Sequence, residues 1–473
     1  MHLQIHPDDR LLVLDSKATI GGVWAKKQLY PGLKSNNLYG TYQYPDSPMD
    51  ASYGVKQWEH IPGPVIQRYL ENCAKESGLF ERVRLNTWVD SVEEVSVVDD
   101  SRYEGEQKQE NMSMWLISAR TLGEPSQIRA KKLIIACGLT SVPRMPDLPG
   151  ASAFTGTLLH SKDFAAKYTS IIDSAPSSAV ILGSSKSAWD CAYLLARAGT
   201  TAHMIVRTSG NGASVFSKIY VTPFKTWAEK LLMRRVVTFF SPAIWGDSDG
   251  YGWIRSMLHG TAIGRAVVNA FWGVLADDMN QGMGFAAHPE TAKLTPAMSP
   301  FWTGSNLSID NYDTDFLQLV RDGKIVVHHA DPESLKDRAM MLSNGEEISA
   351  DVVVCCTGWQ AVPPVTFKGL TEEELGLPYY SDEQDPRVAA ADEEIFARFP
   401  KLREQPKQGP LAMSNHDGRN SALPREEKFN HPFRLYKGMI PPAFIAKRNL
   451  ACAGYVWSVT ILFTTSLTHG INV

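Results

Sequence analysis

SAVILGSSKSAWDCAYLLARAG, residues 178–199, is the stretch whose reading decides the fold. An apolar run opens it, as in a strand buried on both faces. A glycine-serine turn follows, and then apolar residues recur at helical spacing up to a glycine stop. Within it GSSKSA, residues 183–188, stands where a GxGxxG/A dinucleotide fingerprint would stand, with Ser185 at the second glycine. Gly183 permits the tight turn, the small Ser185 still lets a pyrophosphate approach the backbone, and Ala188 lets helix and strand pack closely. Lys186 and Ser187 open the helix, whose N-terminal N–H groups and dipole suit a phosphate. Gly183, Ser185, Lys186 and Ser187 are therefore cofactor-binding candidates.

Working outward, TAHMIVR (201–207) reads as the next strand and ends in Arg207. A carboxylate at that strand end would bind a ribose 2′-hydroxyl and select NAD, whereas an arginine suits the extra 2′-phosphate of NADP. A solvated strand-end arginine is the alternative reading. Further strands are expected in 10–15, 131–138, 323–329 and 348–359. Alternation of this kind predicts doubly wound α/β units. Residues 93–118 read as a β-hairpin arm with a polar tip. Residues 209–300, rich in Trp, Phe and Met, read as helices lining a substrate entrance, or alternatively as a peripheral membrane-contacting surface. Residues 360–435 read as long surface loops. The apolar run 450–467 reads as a strand, turn and helix rather than a membrane span.

Asp15 ends a strand of the same type, so it reads as the ribose-binding acid of a second dinucleotide site. Counting back the Gly183–Arg207 spacing from Asp15 runs off the start of the chain, so the first βαβ unit reads as incomplete. ATIGGVW (18–24) survives, where Gly21 and Gly22 could pass backbone close to a cofactor or simply make a turn.

The 473 residues exceed one ordinary core and predict more than one domain. With 44% hydrophobic and 21% charged residues and a net charge near −4, bulk attraction to nucleic acid is not expected. The six cysteines form no CxxC pair and read as buried reduced thiols of a cytoplasmic protein. The twelve histidines show no metal-ligand spacing, so no metal site is expected. No signal peptide is visible at the start.

These residues together resemble the flavin-containing monooxygenases, a group of the class B flavoprotein monooxygenases. FTGTLLHSKDF (154–164) matches that family's pattern FxGxxxHxxx(Y/F) at Phe154, Gly156, His160 and Phe164. GGVW with Trp24, YPGLKSN (30–36), CGLTSVPRMPDLPG (137–150) with Gly138, CTGW with Thr357 and Gly358, and NLACAGY (449–455) fall in the family's order. The style is most similar to fungal members of secondary metabolism.

The resemblance implies two Rossmann-like domains: a discontinuous FAD domain over 1–160 and 346–473, and an inserted NADP domain over 161–345. It implies FAD and NADPH as cofactors, with Asp15, Gly21, Gly22, Trp24, Asn36, Gly138, Gly156, His160, Thr357 and Gly358 near them. It further implies a C4a-hydroperoxyflavin that passes one oxygen atom of O₂ to a small organic substrate. Asn36 matches the family's flavin-side Asn and is the catalytic candidate, with a turn Asn as the alternative. Baeyer–Villiger relatives usually carry Asp there, so the expectation is hydroxylation, epoxidation or N- or S-oxidation. The alternatives are Baeyer–Villiger insertion into a ketone and a non-catalytic NADP-binding protein. The first GxGxxG is missing and the chain stops soon after the strand at 449–455, so it reads as a family member trimmed at both ends.

Overall fold

Ser178–Leu182 is buried along its whole length, as a strand must be when both its faces are covered. It lies in the middle of a five-stranded sheet in the order Thr157–His160, Val352–Cys355, Ser178–Leu182, Thr201–Val206, Ile325–His329. Every pairing in this sheet is parallel. Helix Ser161–Asp173 and helix Lys186–Arg197 make the crossovers between successive parallel strands. This is the doubly wound arrangement expected from residues 178–199. The structure is a computed structural model that describes residues 6, 8–98, 111–138, 140–232, 234–243, 249–303, 308–360, 362–383, 385–404 and 431–454.

The chain divides into two compact units. The first comprises Met1–Val142, Gln360–Leu377 and Arg434–Tyr455, and the second Pro143–Trp359, Pro378–Phe433 and Val456–Val473. The sequence division had placed 157–160 and 352–355 with the FAD segments. Both strands lie in the sheet of the second unit. The physical reason is burial: Val352–Cys355 is hydrogen-bonded on both sides and all four of its residues are buried.

Asp351 ties three segments together at the amino edge of this sheet. Its carboxylate accepts the Ser177 N–H at 2.7 Å, the Ser177 hydroxyl at 2.8 Å and the Ser178 N–H at 3.2 Å. It also accepts from the Arg338 guanidinium, and its backbone carbonyl accepts the Thr157 N–H at 2.9 Å. Gly156 makes that last contact possible, because a Cβ there would lie 2.5 Å from the Asp351 carbonyl oxygen.

Within 209–300 the structure has helices Gly252–Gly260 and Ala262–Met283. They pack around Trp272, Leu275, Met279 and Phe301, and the Trp272 indole donates to the Phe240 carbonyl at 2.7 Å. Gly264 lets the two helices meet, since a Cβ there would lie 2.2 Å from the Met257 carbonyl oxygen. Residues 360–435 are not all loop: Pro386–Arg398 is a helix. Its signal was present in the sequence, with Asp385 capping and Pro386 at the first helical position. Residues 405–430 lie outside the described residues.

In the first unit Val13–Leu14 pairs in parallel with Val83–Arg84, and Leu133–Ile135 with Leu450–Cys452. The expected arm is present as antiparallel Thr87–Val98 and Asn111–Thr121, joined by Glu124–Ala130. Its tip, 99–110, is outside the described residues, as is most of the expected turn and helix after Cys452. The Trp115 side chain anchors the arm by donating to the Asn449 carbonyl at 2.9 Å. Among the described residues no helix is long and apolar enough to cross a membrane. Cys191, Cys355, Cys356 and Cys452 are buried as expected, but Cys137 is exposed and Cys73 half-buried.

The Asp351 clamp yields a stability prediction. The Arg338 side chain is the main cause that holds the Asp351 carboxyl down at about 2, with the Ser177 and Ser178 donors adding to it. An unfolded aspartate titrates near 3.9. The stabilisation is therefore present above about pH 4 and is lost as pH falls through about 2. Asp351→Ala should cost about 1.5–3 kcal/mol in urea unfolding near neutral pH. The gap from wild type should be flat above about pH 5 and narrow in acid.

Candidate active site

The fingerprint turn forms as its residue types dictate. Gly183 has φ +129°, and a Cβ there would lie 2.6 Å from the Cys356 carbonyl oxygen, so the position admits only glycine. Ser184 fastens the turn by donating to the Gly212 carbonyl at 2.8 Å. Ser185 is the N-cap of helix Lys186–Arg197, but its side chain does not cap it. The N–H groups at Lys186 and Ser187 thus belong to the first helical turn, which has no intrahelical acceptors to offer them. Ala188 is fully buried against the sheet, as its place in the fingerprint requires.

Lys186 has a different role from the simple one expected. Its ammonium bonds the Asp190 carboxylate, one turn along the helix, and the Tyr312 hydroxyl at 3.1 Å. Tyr312 in turn donates to Asp190 at 2.7 Å. The lysine charge is therefore neutralised beside the turn rather than presented alone. Asp190 and Tyr312 carry no motif, so sequence reasoning did not find them.

Of the FxGxxxHxxxF residues, His160 meets the CTGW segment, whereas Gly156 lies at the other end of the strand against Asp351. His160 ends strand Thr157–His160 and caps helix Ser161–Asp173, with its Nδ1 accepting the Lys162 N–H at 3.1 Å. Nδ1 is thus an acceptor, so Nε2 carries the proton and donates to the Gly358 carbonyl at 3.0 Å. The same carbonyl accepts the Arg144 N–H at 3.0 Å, and the Thr357 hydroxyl donates to the Arg144 carbonyl at 2.5 Å. The imidazole also meets the Trp359 ring edge-on at 5.0 Å. Burial pushes the His160 pKa below its usual value, against the Gly358 bond that favours the proton. A second proton at Nδ1 would break the helix cap.

Arg207 follows strand Thr201–Val206 and is exposed at the carboxyl end of the sheet, the end where the Gly183 turn also lies. Its loop closes by a Gly210 N–H donated to the Arg207 carbonyl at 3.3 Å. The second unit thus places a glycine turn, a helix N-terminus and an exposed guanidinium at the carboxyl end of one sheet.

In the first unit Asp15 ends strand Val13–Leu14, and its carboxylate accepts the Lys17 N–H at 2.9 Å. Gly21 and Gly22 have φ of +134° and +57° and lead into the short helix Gly22–Trp24. A Cβ on Gly22 would meet nothing within 4 Å, so its backbone is bare. Gly138 lies just past strand Leu133–Ile135 with φ +65°, beside Gly454, which has φ +78°. Gly454 is a pairing that sequence reasoning missed, although it lies in a quoted motif. Asn36 is exposed on strand Lys34–Leu38. Ser35 holds that strand by donating to the Asn37 carbonyl at 2.5 Å and accepting the Ile61 N–H at 3.1 Å. A strand-end acid with bare backbone and an outward amide fits a flavin dinucleotide: Asp15 for ribose hydroxyls, and the glycines for close approach.

The His160 bonding pattern sets a pH dependence. The folded state favours neutral imidazole, while an unfolded histidine titrates near 6.5. The stabilisation is present above about pH 6.5 and is lost as pH falls below it. Gln at 160 can still donate to Gly358 but does not titrate. The midpoint of thermal unfolding should therefore fall less between pH 7.5 and 5 for His160→Gln than for wild type. Equal slopes would show that His160 is not held neutral.

Comparison with known proteins follows the same lines. Residues 51–238 match the pyridine nucleotide-disulphide oxidoreductase family. The chain is 32% identical over 422 residues to the FAD-dependent monooxygenase rstn6 of Aspergillus nomiae, covering 86% of this chain and 71% of that protein. It is 33% identical over 423 residues to an FAD-dependent monooxygenase of Pyrenophora dematioidea, covering 86% and 74%. A solved structure of cyclohexanone monooxygenase from Rhodococcus sp. Phi1 bound to NADP⁺ shares the fold, with a TM-score of 0.52, 17% identity and coverage of 80% and 73%. With residues 178–199 folded as a dinucleotide fingerprint and relatives at this identity over most of their length, the chain belongs to the FAD-dependent monooxygenases, in the class B group that its motifs resemble.

Proposed function

We propose that this chain binds FAD through its first unit and NADPH through its second. In this reading it transfers one oxygen atom from O₂ to a small organic molecule by hydroxylation, epoxidation or N- or S-oxidation. Its setting is cytoplasmic secondary-metabolite synthesis, in line with its fungal relatives. The observation that carries the reading is the exposed Arg207 at the same sheet end as the Gly183 turn. The bound cofactors supply the electron transfer and oxygen activation. The protein's own residues bind and orient. Gly183 and the start of helix Lys186–Arg197 receive a pyrophosphate, and Arg207 receives the 2′-phosphate. Asp15 receives ribose hydroxyls, and the outward Asn36 amide offers a hydrogen bond at the flavin side. His160 holds the CTGW turn in place through the Gly358 carbonyl and moves no proton.

Asn36 favours oxidation of a heteroatom or carbon over insertion into a ketone. Product analysis with a sulfide or amine against a cyclic ketone tests this directly, and a lactone as the main product would overturn it. A flavin absorbance band in the purified protein separates the enzyme from a non-catalytic NADP-binding protein.

Two variants test the assigned residues. Arg207→Ala should weaken NADPH binding by about ten-fold or more and NADH binding much less, as expected for loss of one charge-assisted contact of roughly 1.5–3 kcal/mol. In flavin-loaded enzyme, Asn36→Ala should leave NADPH-driven flavin reduction near normal. It should raise the hydrogen peroxide released per NADPH consumed. Reduction lost in parallel with oxygenation, with no extra peroxide, would assign Asn36 to folding or binding.

A further inference from the structure

Asp331 is an acid placed against the loop that carries Arg207. Strand Ile325–His329 pairs in parallel with Thr201–Val206, with Val206 opposite His329, so the residues that follow each strand leave the sheet side by side. The Asp331 carboxylate accepts the Thr208 hydroxyl and the Ser209 hydroxyl, each at 2.5 Å. It also accepts the Ser209 N–H, at 3.2 Å to Oδ1 and 3.1 Å to Oδ2. Asp331 is itself fixed from behind: its N–H donates to the Ser343 hydroxyl at 2.9 Å, and the Ser343 N–H donates to its carbonyl at 2.9 Å.

An acid next to a phosphate site can do one of two things. It can repel the phosphate, as the acids of NAD-selective sites do, or it can hold the residues that bind it. The bonding here decides between them. Both carboxylate oxygens are turned into the loop and engaged there. Burial alone would raise this carboxyl, but the Ser209 and Thr208 donors and the Arg207 charge together hold it below the usual carboxylate range. It is thus an ionised acceptor, which accepts hydrogen bonds from both hydroxyls while the Arg207 guanidinium keeps its donors. Gly210 closes the turn by donating its N–H to the Arg207 carbonyl at 3.3 Å.

We infer that Asp331 is a positioning residue for cofactor choice. By bonding Thr208 and Ser209 it fixes the loop so that Arg207 stands ready for a 2′-phosphate, and so favours NADPH over NADH. The inference rests on the reading of Arg207 as the 2′-phosphate ligand.

The test is the dissociation constant of NADPH and of NADH for the full chain, read by nicotinamide fluorescence. Wild type, R207A, D331A, D331N and the R207A/D331A double variant are compared. D331A should weaken NADPH about ten-fold and NADH less than about two-fold, the scale of a lost charge-assisted contact. D331N keeps a carbonyl acceptor for Ser209 and should recover most of the selectivity, which also separates positioning from loss of folding. In the R207A background, D331A should bring no further selective loss. Equal weakening of both cofactors by D331A and D331N would overturn the inference, as would tighter NADPH binding, the signature of repulsion. If R207A weakens NADPH far more than NADH, these outcomes defeat the Asp331 inference alone. If R207A weakens both cofactors equally or leaves both unchanged, the reading of Arg207 fails and the inference with it.

Discussion

The approach of Gly183 to the Cys356 carbonyl is the contact on which the second unit depends. A side chain at 183 would collide with that oxygen, so the turn can exist only if the CTGW strand end and the fingerprint strand lie directly side by side. Val352–Cys355 is the strand that brings this about, seated between Thr157–His160 and Ser178–Leu182. Its position makes three distant motifs one local structure. The Gly183 turn touches the Cys356 backbone, the Gly358 carbonyl takes the His160 and Arg144 donors, and Asp351 gathers the opposite ends of the same strands. The FxGxxxH segment is accounted for by these contacts. Gly156 clears the Asp351 carbonyl, and His160 serves both as helix cap and as bracket for the CTGW turn.

The polar groups around this sheet bond one another, which matters because an unpaired polar group in a half-buried place costs more than a typical hydrogen bond contributes. Lys186, Asp190 and Tyr312 satisfy one another next to the phosphate turn. Asp331 satisfies Thr208 and Ser209 next to Arg207. The first set neutralises the lysine charge, and in the second the neutral Thr208 and Ser209 donors occupy an ionised Asp331 beside Arg207. Function in such a protein rests on these positions, because the difficult chemistry belongs to the bound cofactors.

Much of the fold and part of the site were legible in residues taken one segment at a time. Ser178–Leu182 and Lys186–Arg197 were readable because a buried parallel strand and an amphipathic helix write their periods directly into the chain. The β-hairpin arm was readable from its alternation. The helix Pro386–Arg398 was obscured by surrounding proline and charge, although its Asp-Pro start was a sound signal. Strands 157–160 and 352–355, expected with the FAD segments, look like any other apolar strands, and both join the second unit's sheet. Nothing local says which sheet a strand joins.

The sequence by itself determined the class of protein: a doubly wound dinucleotide-binding chain with a fingerprint at Gly183, an arginine at the following strand end and a flavin-monooxygenase motif at 154–164. These are local properties of turn, period and residue type, and they need no partner to be recognised. Only the tertiary structure decided that Val352–Cys355 lies between Thr157–His160 and Ser178–Leu182 in the second unit's sheet, that Tyr312 joins Lys186 and Asp190, that His160 carries its proton on Nε2, and that Asp331 grips the Arg207 loop. Each of these depends on strand order, which joins residues more than a hundred positions apart, and hydrogen-bond roles follow only once both partners are in place.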